Sequence, residues 1–490
     1  MRPKFNGCGW RWRPRVTHPK LRPLTSAQIC SRGGRLMTTA ITETEDAGHA
    51  HKMGPMMATF LVAGNMIGSG VFLLPATLAL IGSVTLIGWI GASVGALLLA
   101  AVFAFLARLR PNGHGVVGYV SDALGRFFGF EAGFAYWLSC IVGNLALATA
   151  VVGYLAFFFP ELKTPILTTA ASLGAIWVLT FANIVGPRFI GRLHGASLAV
   201  GLLPIIAATV LGWIYFDPEI FRQSWNVTAI LDPNHVGKSD AAAISGSIVP
   251  IFWAFVGLES ASVCARVVRN PKKNVPIATF GGVGLAALIY IGASAVVFGV
   301  LPATVLAASS APFADVAAKL VGATIAGLLA ACAVFKASGT LGGWVMVTAQ
   351  TTQAGVEAGY LPKILSRPDT PHTPTRELLI LGVLMTAIGF ATMQPTIAQQ
   401  FGVLINVATN LSLAVYGLCC IALLRWSGEL EHRVLTARVC AVLGLAFAVW
   451  AIASGDPEML KVQGWLFLVS LPIYALIWWA ARPKAPAAAT

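Results

Sequence analysis

Charged side chains are scarce in this sequence of 490 residues. Asp, Glu, Lys and Arg together make up 11% of the chain, whereas apolar residues make up 57%. A soluble domain usually carries about 25% charged residues, so this chain lacks the polar side chains that would cover a water-facing surface. The alternating polar and apolar pattern of outer-membrane strands is also absent. The composition excludes a soluble globular protein and predicts an integral membrane protein built from helices.

Motifs for metal binding or hydrolytic chemistry are scarce as well. The eight cysteines form no CxxC pair and no Cys/His spacing typical of a metal site. The apolar runs contain no HExxH motif and no paired catalytic carboxylates. We therefore expect neither a cofactor nor a metal, and a membrane-embedded enzyme is a weak alternative. A sensor is equally weak, since only a short tail follows Ala481.

The first 36 residues are strongly basic and carry no acidic side chain. Their basic residues are Arg2, Lys4, Arg11, Arg13, Arg15, Lys20, Arg22, Arg32 and Arg35. We expect residues 1–50 to form a disordered extension and cytoplasmic tail, with Met37 as the start of the functional chain. An arm that binds nucleic acid or anionic lipid is the alternative, but no nucleic acid partner is predicted.

Long apolar runs after residue 51 fit helices that cross a bilayer. About 20 residues are needed to span a hydrocarbon core of about 30 Å. Twelve such runs lie approximately at 56–79, 82–108, 129–159, 165–185, 192–216, 242–264, 278–302, 320–350, 377–394, 400–424, 433–454 and 462–481. We therefore predict an all-α membrane protein with 12 transmembrane helices embedded in a lipid bilayer.

Basic residues in the connections set the expected orientation, because Lys and Arg favour cytoplasmic loops. Alternate connections and the C-terminal tail carry Arg108, Arg110, Arg126, Arg188, Arg192, Arg266, Arg269, Lys272, Lys273, Lys363, Arg367, Arg376, Arg425, Arg433, Arg482 and Lys484. The intervening connections are richer in acidic residues. This alternation agrees with an even number of spans. It predicts that both termini are cytoplasmic.

The first span contains a stretch, GNMIGSGVFLLPA from Gly64 to Ala76, that is poorly suited to a helix. Glycine destabilises a helix interior by about 1 kcal/mol relative to alanine. Within a bilayer, unwound backbone survives only where it is buried or lines a cavity. The free N–H groups beside Gly68, Ser69 and Gly70 would suit a carboxylate. Close helix packing by small residues is the alternative.

The sixth span has a matching feature, FWAFVGLESASVCA from Phe252 to Ala265. It carries Gly257 and an ionisable Glu259, and an intramembrane carboxylate is costly enough to indicate function. Interrupted segments at corresponding places in two halves indicate an inverted-repeat transporter with a site at the membrane midplane. We therefore predict a 5+5 inverted repeat with broken first and sixth helices. The predicted parts are residues 51–220, residues 221–424, and two further helices with a tail in residues 425–490.

Several segments together form a recognisable pattern. They are the Gly64–Ala76 stretch, YWLSCIVGNLA at 136–146, NIVGP at 183–187, ESASV and NPKKNVPIAT between 259 and 279, and TLGGW at 340–344. The pattern resembles the amino acid–polyamine–organocation superfamily, and within its basic amino acid/polyamine branch the bacterial arginine/agmatine antiporters. The resemblance runs from about His51 to the last span. It implies an antiporter of the inner membrane that forms a homodimer and has no catalytic residue.

The resemblance also implies a substrate site. Main-chain groups from Met66 to Gly70 would bind the substrate carboxylate, and carbonyls near Trp253 and Val256 would bind its α-amine. The Trp344 indole would stack on a guanidinium, a contact worth about 0.5–2 kcal/mol. The expected substrate-binding residues are Asn65, Met66, Gly68, Ser69, Gly70, Ser139, Cys140, Asn144, Trp253, Val256 and Trp344. Ordinary packing is the alternative for the tryptophans, and interhelical hydrogen bonding for the asparagines.

Gating and coupling residues are implied in the same way. The expected gate residues are Tyr136, Trp253, Glu259, Trp344 and Tyr416. Glu259 is also expected to act as a proton sensor or carrier. Lys336 departs from the family pattern: it lies four residues before Thr340, on the same helix face, where it would substitute for a coupling cation. A lysine that snorkels to the membrane interface is the alternative.

The expected function is exchange of a cationic amino acid, arginine, for its decarboxylated amine, agmatine, by alternating access. Each turn would export one more positive charge than it imports, a property that suits acid resistance. The tenth span departs from the family pattern at Ala408, where a hydroxyl is expected, while Asn406 and Asn410 add polarity nearby. The alternative is a proton-coupled amino acid importer that uses Lys336 and Glu259.

Overall fold

The computed structural model describes residues 54–110, 115–231, 237–259, 268–366 and 373–480. The predicted basic extension, residues 1–50, lies outside these ranges, as do residues 260–264 at the end of the predicted sixth span. Within the described ranges the chain forms α-helices and short 3-10 turns, with no β-strand.

The α-helices are numbered here in chain order. They are α1 (Pro55–Met66), α2 (Ser69–Leu78), α3 (Thr85–Leu109), α4 (Gly115–Leu124), α5 (Arg126–Leu155), α6 (Pro165–Val185), α7 (Pro187–Gly212), α8 (Pro218–Gln223), α9 (Thr228–Leu231), α10 (Asp240–Phe252), α11 (Pro271–Val300), α12 (Ala303–Ala307), α13 (Pro312–Val321), α14 (Ala323–Glu357), α15 (Thr375–Ala391), α16 (Ile397–Trp426), α17 (Val434–Ser454) and α18 (Pro457–Ala480). The 3-10 turns are Pro160–Lys163, Trp213–Tyr215, Trp253–Phe255 and Ser427–Glu429.

The prediction of a helical membrane protein with twelve spans is confirmed. Ten helical segments in the described part of the chain are long and apolar enough to cross a membrane. The other two predicted spans correspond to shorter segments, Asp240–Phe255 and the 17-residue helix α15. The sixth span is short because its helix is interrupted after Phe255. The division into two repeats at residues 220 and 424 stays a prediction.

Several helix ends differ from the apolar runs that predicted them. Helix α11 begins at Pro271 rather than at 278, and α14 continues to Glu357 rather than to 350. Hydropathy detects only the part of a helix that lies in the hydrocarbon, so polar turns beyond it are missed. Helix α14 begins at Ala323 rather than at 320 because Gly322, with φ +92°, separates it from α13.

At each end of the helix bundle, connections that are predicted to lie on the same side of the membrane contact one another. At one end, Arg110 forms an ion pair of 2.7 Å with Glu429, and Arg108 Nε donates to the carbonyl of Lys272 at 3.0 Å. At the other end, the N–H of Ser83 donates to the carbonyl of Ser224, whose hydroxyl accepts from the N–H of Ala303. These contacts agree with the predicted alternation of the loops.

Helix α5 lies at the centre of the bundle and packs against α14 and α16. Helix α14 packs in turn against α7, and α1 packs against α11. Helix α2 contacts α5, α10 and the 3-10 turn that follows α10. The two interrupted spans therefore face each other beside α5, while α18 is exposed along most of its length.

Candidate functional site

A cavity lies between the two interrupted spans, α5 and α14. It encloses about 520 Å³ of space not filled by protein atoms, part of which is open to solvent. Its lining residues are Asn65, Met66, Gly68, Gly70, Tyr136, Ser139, Cys140, Gly143, Asn144, Leu147, Trp253, Val256, Thr340 and Trp344. The structure thus brings predicted residues from four separate segments to one place.

The first interruption is a sharp turn of the backbone at Ile67 and Gly68. Ile67 has φ −76° and ψ 78°, and Gly68 has φ −115° and ψ −127°, so neither is helical. Helix α2 starts at Ser69, directly after this turn. The first N–H groups of a helix have no intrahelical partner, so those of Ser69 and Gly70 have none within α2, and Gly68 and Gly70 line the cavity. Such a helix start favours an anion.

The carbonyl freed by this interruption is bound from a neighbouring helix. The hydroxyl of Tyr290, on α11, donates to the carbonyl oxygen of Met66 at 2.7 Å, and the N–H of Gly68 donates to the same oxygen at 2.7 Å. Tyr290 also stacks on Trp89, with ring centroids 5.2 Å apart. The sequence reasoning missed Tyr290; its hydroxyl within an apolar run was the available signal.

The second interruption begins with the 3-10 turn Trp253–Phe255 and continues through extended backbone at Val256. Gly257 has φ +103°, a conformation that other residues adopt only with strain. A Cβ at Gly257 would lie 3.7 Å from the carbonyl oxygen of Asn65. The two interrupted spans therefore lie next to each other, and the positive φ of Gly257 permits the backbone turn of the second one.

Two tryptophans form the aromatic part of the cavity wall. Trp253 lies against α5 at Gly143, where a Cβ would be only 3.1 Å from the indole ring. Trp344 comes from α14, one helical turn beyond Thr340. An indole face attracts cations within about 6 Å. The wall can therefore hold a positively charged group as well as an apolar chain.

Asn144 supplies an amide to the same wall. Its Nδ2 donates to the hydroxyl of Thr348 at 2.8 Å, whereas its Oδ1 is buried and has no hydrogen-bond partner within the described ranges. A buried acceptor without a partner costs about 1–3 kcal/mol. Because Asn144 lines the cavity, a ligand that donates to Oδ1 would recover this energy.

Ser139 and Cys140 lie beside Asn144 in the lining, but their hydrogen-bonding groups are less suited to binding a ligand. The hydroxyl of Ser139 lies 2.8 Å from the carbonyl oxygen of Ala408 and 2.7 Å from the hydroxyl of Ser412. It is therefore engaged with α16. Cys140 is a buried free thiol, which is a weak hydrogen-bonding group.

Glu259 joins two tyrosines beside the cavity. The hydroxyl of Tyr136 donates to its Oε1 at 3.0 Å, and the hydroxyl of Tyr416 donates to its Oε2 at 2.5 Å. Glu259 is 1% exposed, and Tyr416 is fully buried. Tyr136 lines the cavity, so the carboxylate links the cavity wall on α5 to α16. Three of the five expected gate residues, Tyr136, Glu259 and Tyr416, therefore lie together.

Lys336 lies inside the bundle rather than at a membrane interface. Its side chain is 1% exposed, and its Nζ donates to the hydroxyl of Thr340 at 2.8 Å. Its stem packs so closely on Gly201 of α7 that a Cβ there would lie 2.2 Å from Lys336 Cβ. Thr340 lines the cavity, and its methyl group lies next to Gly68. The side chain of Thr340 thus lies between Lys336 and the first interruption.

Similarity to known proteins agrees with this arrangement. The family model described as amino acid permease matches residues 53–481. The cadaverine/lysine antiporter of Escherichia coli strain K12 is 36% identical over 431 residues, which cover 87% of this chain and 95% of that protein. The putrescine transporter PotE of the same strain is 31% identical over 431 residues, covering 87% and 96%. PotE of Haemophilus influenzae is 31% identical over 415 residues, covering 84% and 94%.

The match spans nearly all of the described helices, including both interruptions and the cavity between them. The relatives are named as an antiporter and as transporters. The chain belongs to the amino acid permease family of the amino acid–polyamine–organocation superfamily.

Proposed function

We propose that this protein is an antiporter that exchanges a cationic amino acid for its decarboxylated amine by alternating access. The observation that carries the proposal is the cavity between the two interrupted spans. It combines the first main-chain N–H groups of α2 with two indole faces and Asn144 Oδ1, which has no partner among the described residues. These groups match a carboxylate and a distal cation on one small ligand.

The start of α2 accounts for the difference between the two exchanged ligands. An amino acid would place its carboxylate at the N–H groups of Ser69 and Gly70, and its α-ammonium near the carbonyls of Trp253 and Val256. The decarboxylated amine lacks the carboxylate and keeps the rest of the chain. Both ligands can therefore occupy the same aromatic wall, which is what exchange on one site requires.

The polar groups that would meet the side-chain end of the substrate support a primary ammonium at that end. Asn144 Oδ1 is one strong acceptor, while the hydroxyl of Ser139 is already engaged with α16. A guanidinium presents five donors in a fixed fork, whereas an ammonium presents three. Lysine and cadaverine are therefore the first proposed pair, and the E. coli relative at 36% identity carries that name. Arginine and agmatine are the second pair, supported by the stacking face of Trp344.

The hydrogen bonds of Glu259 support a gate at Tyr136. As a carboxylate, Glu259 accepts hydrogen bonds from both Tyr136 and Tyr416, and these bonds would keep Tyr136 in the cavity wall. Protonation would remove one acceptor site and loosen Tyr136, so exchange would be faster in acid. The loop charges support an inner-membrane location with both termini cytoplasmic, and the family resemblance supports a homodimer.

Counterflow in proteoliposomes tests this proposal. Purified protein is reconstituted into vesicles preloaded with lysine, cadaverine, arginine, agmatine or buffer alone, and uptake of labelled lysine and arginine is followed at acid and neutral pH. We expect uptake only into vesicles loaded with a cationic amino acid or amine. Equal uptake into vesicles loaded with buffer alone would contradict obligate exchange. No uptake of either label under any load would overturn the cationic substrate class.

A proton-coupled importer is the second candidate, and Lys336 is the observation that favours it. Its ammonium is buried, and its one hydrogen bond recorded within the described residues goes to Thr340, not to a carboxylate. A fixed or protonatable charge at this place could couple transport to a proton gradient. Uptake into empty vesicles driven by an imposed proton gradient, and lost in Lys336→Met, would support the importer instead.

A further inference from the structure

We propose that Thr348 fixes the orientation of the Asn144 amide, and that this orientation makes the cavity select a cationic ligand over a neutral one of the same shape. Thr348 is therefore a positioning residue, one layer behind the cavity wall. The inference rests on the proposed function, because it assigns the distal group of that same substrate to Asn144.

The hydrogen bonds of Thr348 leave it a single role toward Asn144. Its hydroxyl donates to the carbonyl oxygen of Trp344 at 2.7 Å, within α14. A hydroxyl has one proton, so toward Asn144 it can act only as an acceptor. Asn144 Nδ2 lies 2.8 Å away and donates to it. The amide nitrogen is thereby held toward α14.

The opposite end of the amide has no hydrogen-bond partner among the residues that the structure describes. Asn144 Oδ1 is buried, and both Asn144 and Trp344 line the cavity. A carbonyl oxygen only accepts hydrogen bonds, so it attracts an ammonium that lies over the indole of Trp344. The reverse amide orientation would present two donors, which would repel an ammonium and attract a neutral or anionic acceptor.

The same helix pair contains a second bond of the same kind that does not reach the cavity. The hydroxyl of Thr352 donates to the carbonyl oxygen of Thr348 at 2.8 Å and accepts from Trp137 Nε1 at 2.8 Å. Trp137 comes from α5, like Asn144. Thr352 thus links α14 to α5 as Thr348 does. Its partner is the indole N–H of Trp137, which, unlike an amide, cannot be turned round to present an acceptor. Thr352 provides a matched control for damage to the helix interface.

The test compares binding of a cationic ligand with that of its neutral isostere. Affinities of full-length protein in nanodiscs are measured by calorimetry for lysine and norleucine, and for arginine and citrulline. In Thr348→Val, which keeps the shape and removes the hydroxyl, we expect the cationic-over-neutral ratio to fall about tenfold. Thr348→Ser should keep the wild-type ratio, and Thr352→Val should lower thermal stability without changing the ratio.

A double-mutant cycle isolates the amide. Asn144→Asp has two equivalent oxygens and no orientation to set. In that background, Thr348→Val should no longer change the ratio. An unchanged ratio in Thr348→Val, or an equal loss in Thr352→Val, would overturn the positioning role while leaving the exchanger intact. A wild-type protein that binds none of the cationic ligands would overturn the proposed function and this inference with it.

Discussion

The hydroxyl of Tyr290 donates a 2.7 Å hydrogen bond to the main-chain carbonyl of Met66, the last helical residue before the first interruption. A side chain from α11 therefore satisfies part of the backbone that the broken helix leaves open. Without such a partner, a carbonyl inside the membrane would be costly. The interruption depends on the helix that packs behind it.

Tyr290→Phe should weaken substrate binding as well as stability. Loss of the hydroxyl removes one of two bonds to a buried carbonyl, which costs about 1 kcal/mol, and it loosens the backbone that sets the start of α2. Binding of the amino acid should suffer more than binding of the amine, because only the amino acid uses that helix start. Tyr154→Phe is the control, since Tyr154 donates at 3.0 Å to the carbonyl of Phe72, inside the regular helix α2. Equal losses for the two ligands would contradict the assignment.

Glu259→Gln should flatten the pH dependence of exchange. The amide keeps an acceptor for one tyrosine but carries no charge at any pH, so it resembles the protonated acid. The ratio of exchange rates at acid and neutral pH should fall towards one, mainly because the neutral rate rises. Glu131→Gln is the matched control, because Glu131 accepts from Ser470 of α18, away from the cavity lining. A Glu259→Gln variant that keeps the wild-type pH profile would exclude Glu259 as the proton sensor.

Trp344→Leu should weaken binding of cationic ligands. The loss of a cation–indole contact costs about 0.5–2 kcal/mol, or roughly two- to thirtyfold in affinity, while leucine still fills part of the wall. Norleucine should be affected much less than lysine, since it has no distal charge. Trp450→Leu, at a site on α17 that is 44% exposed, gives the control for loss of an indole elsewhere. Similar losses for lysine and norleucine would indicate packing rather than cation binding.

Lys336→Met separates the exchanger from the importer. Methionine has a similar shape and can pack on Gly201, but it removes the buried charge and its bond to Thr340. Under the exchange proposal, counterflow should persist within a few-fold of wild type while thermal stability changes. Lys319→Met is the control, because Lys319 donates to the carbonyl of Val300 at the end of α11. Complete loss of counterflow in Lys336→Met, with folding intact, would make the lysine essential to transport.

The places where the helices break could be read from the sequence, but the form of each break could not. Glycines around Ser69 and at Gly257 mark both interruptions, and the structure has them there. The sequence placed free N–H groups beside Gly68, Ser69 and Gly70, whereas Ile67 and Gly68 form the actual turn. A shift of the turn by one residue changes which N–H groups lack an intrahelical partner. The position of the turn depends on how α2 packs against α5 and α10.

Segments of the sequence placed several predicted site residues in one cavity, whereas the hydrogen bonds among them could not be predicted. Asn144, Trp253 and Trp344 share one cavity, although they lie far apart in the chain. Family resemblance could place them, since each sits in a recognisable motif. Thr348 was missed because a threonine in an apolar helix has no local signal for the partner it accepts from.

Membrane insertion, the number of spans and the two interrupted helices were determined by the sequence alone. These features depend on local composition, because hydrocarbon accepts only apolar side chains and paired backbone, and glycine weakens a helix wherever it lies. The tertiary structure alone decided which hydroxyl binds the Met66 carbonyl, which end of the Asn144 amide is free and what surrounds Lys336. A hydrogen bond needs its two atoms within about 3 Å in a defined direction, and only the packing of distant helices brings them there.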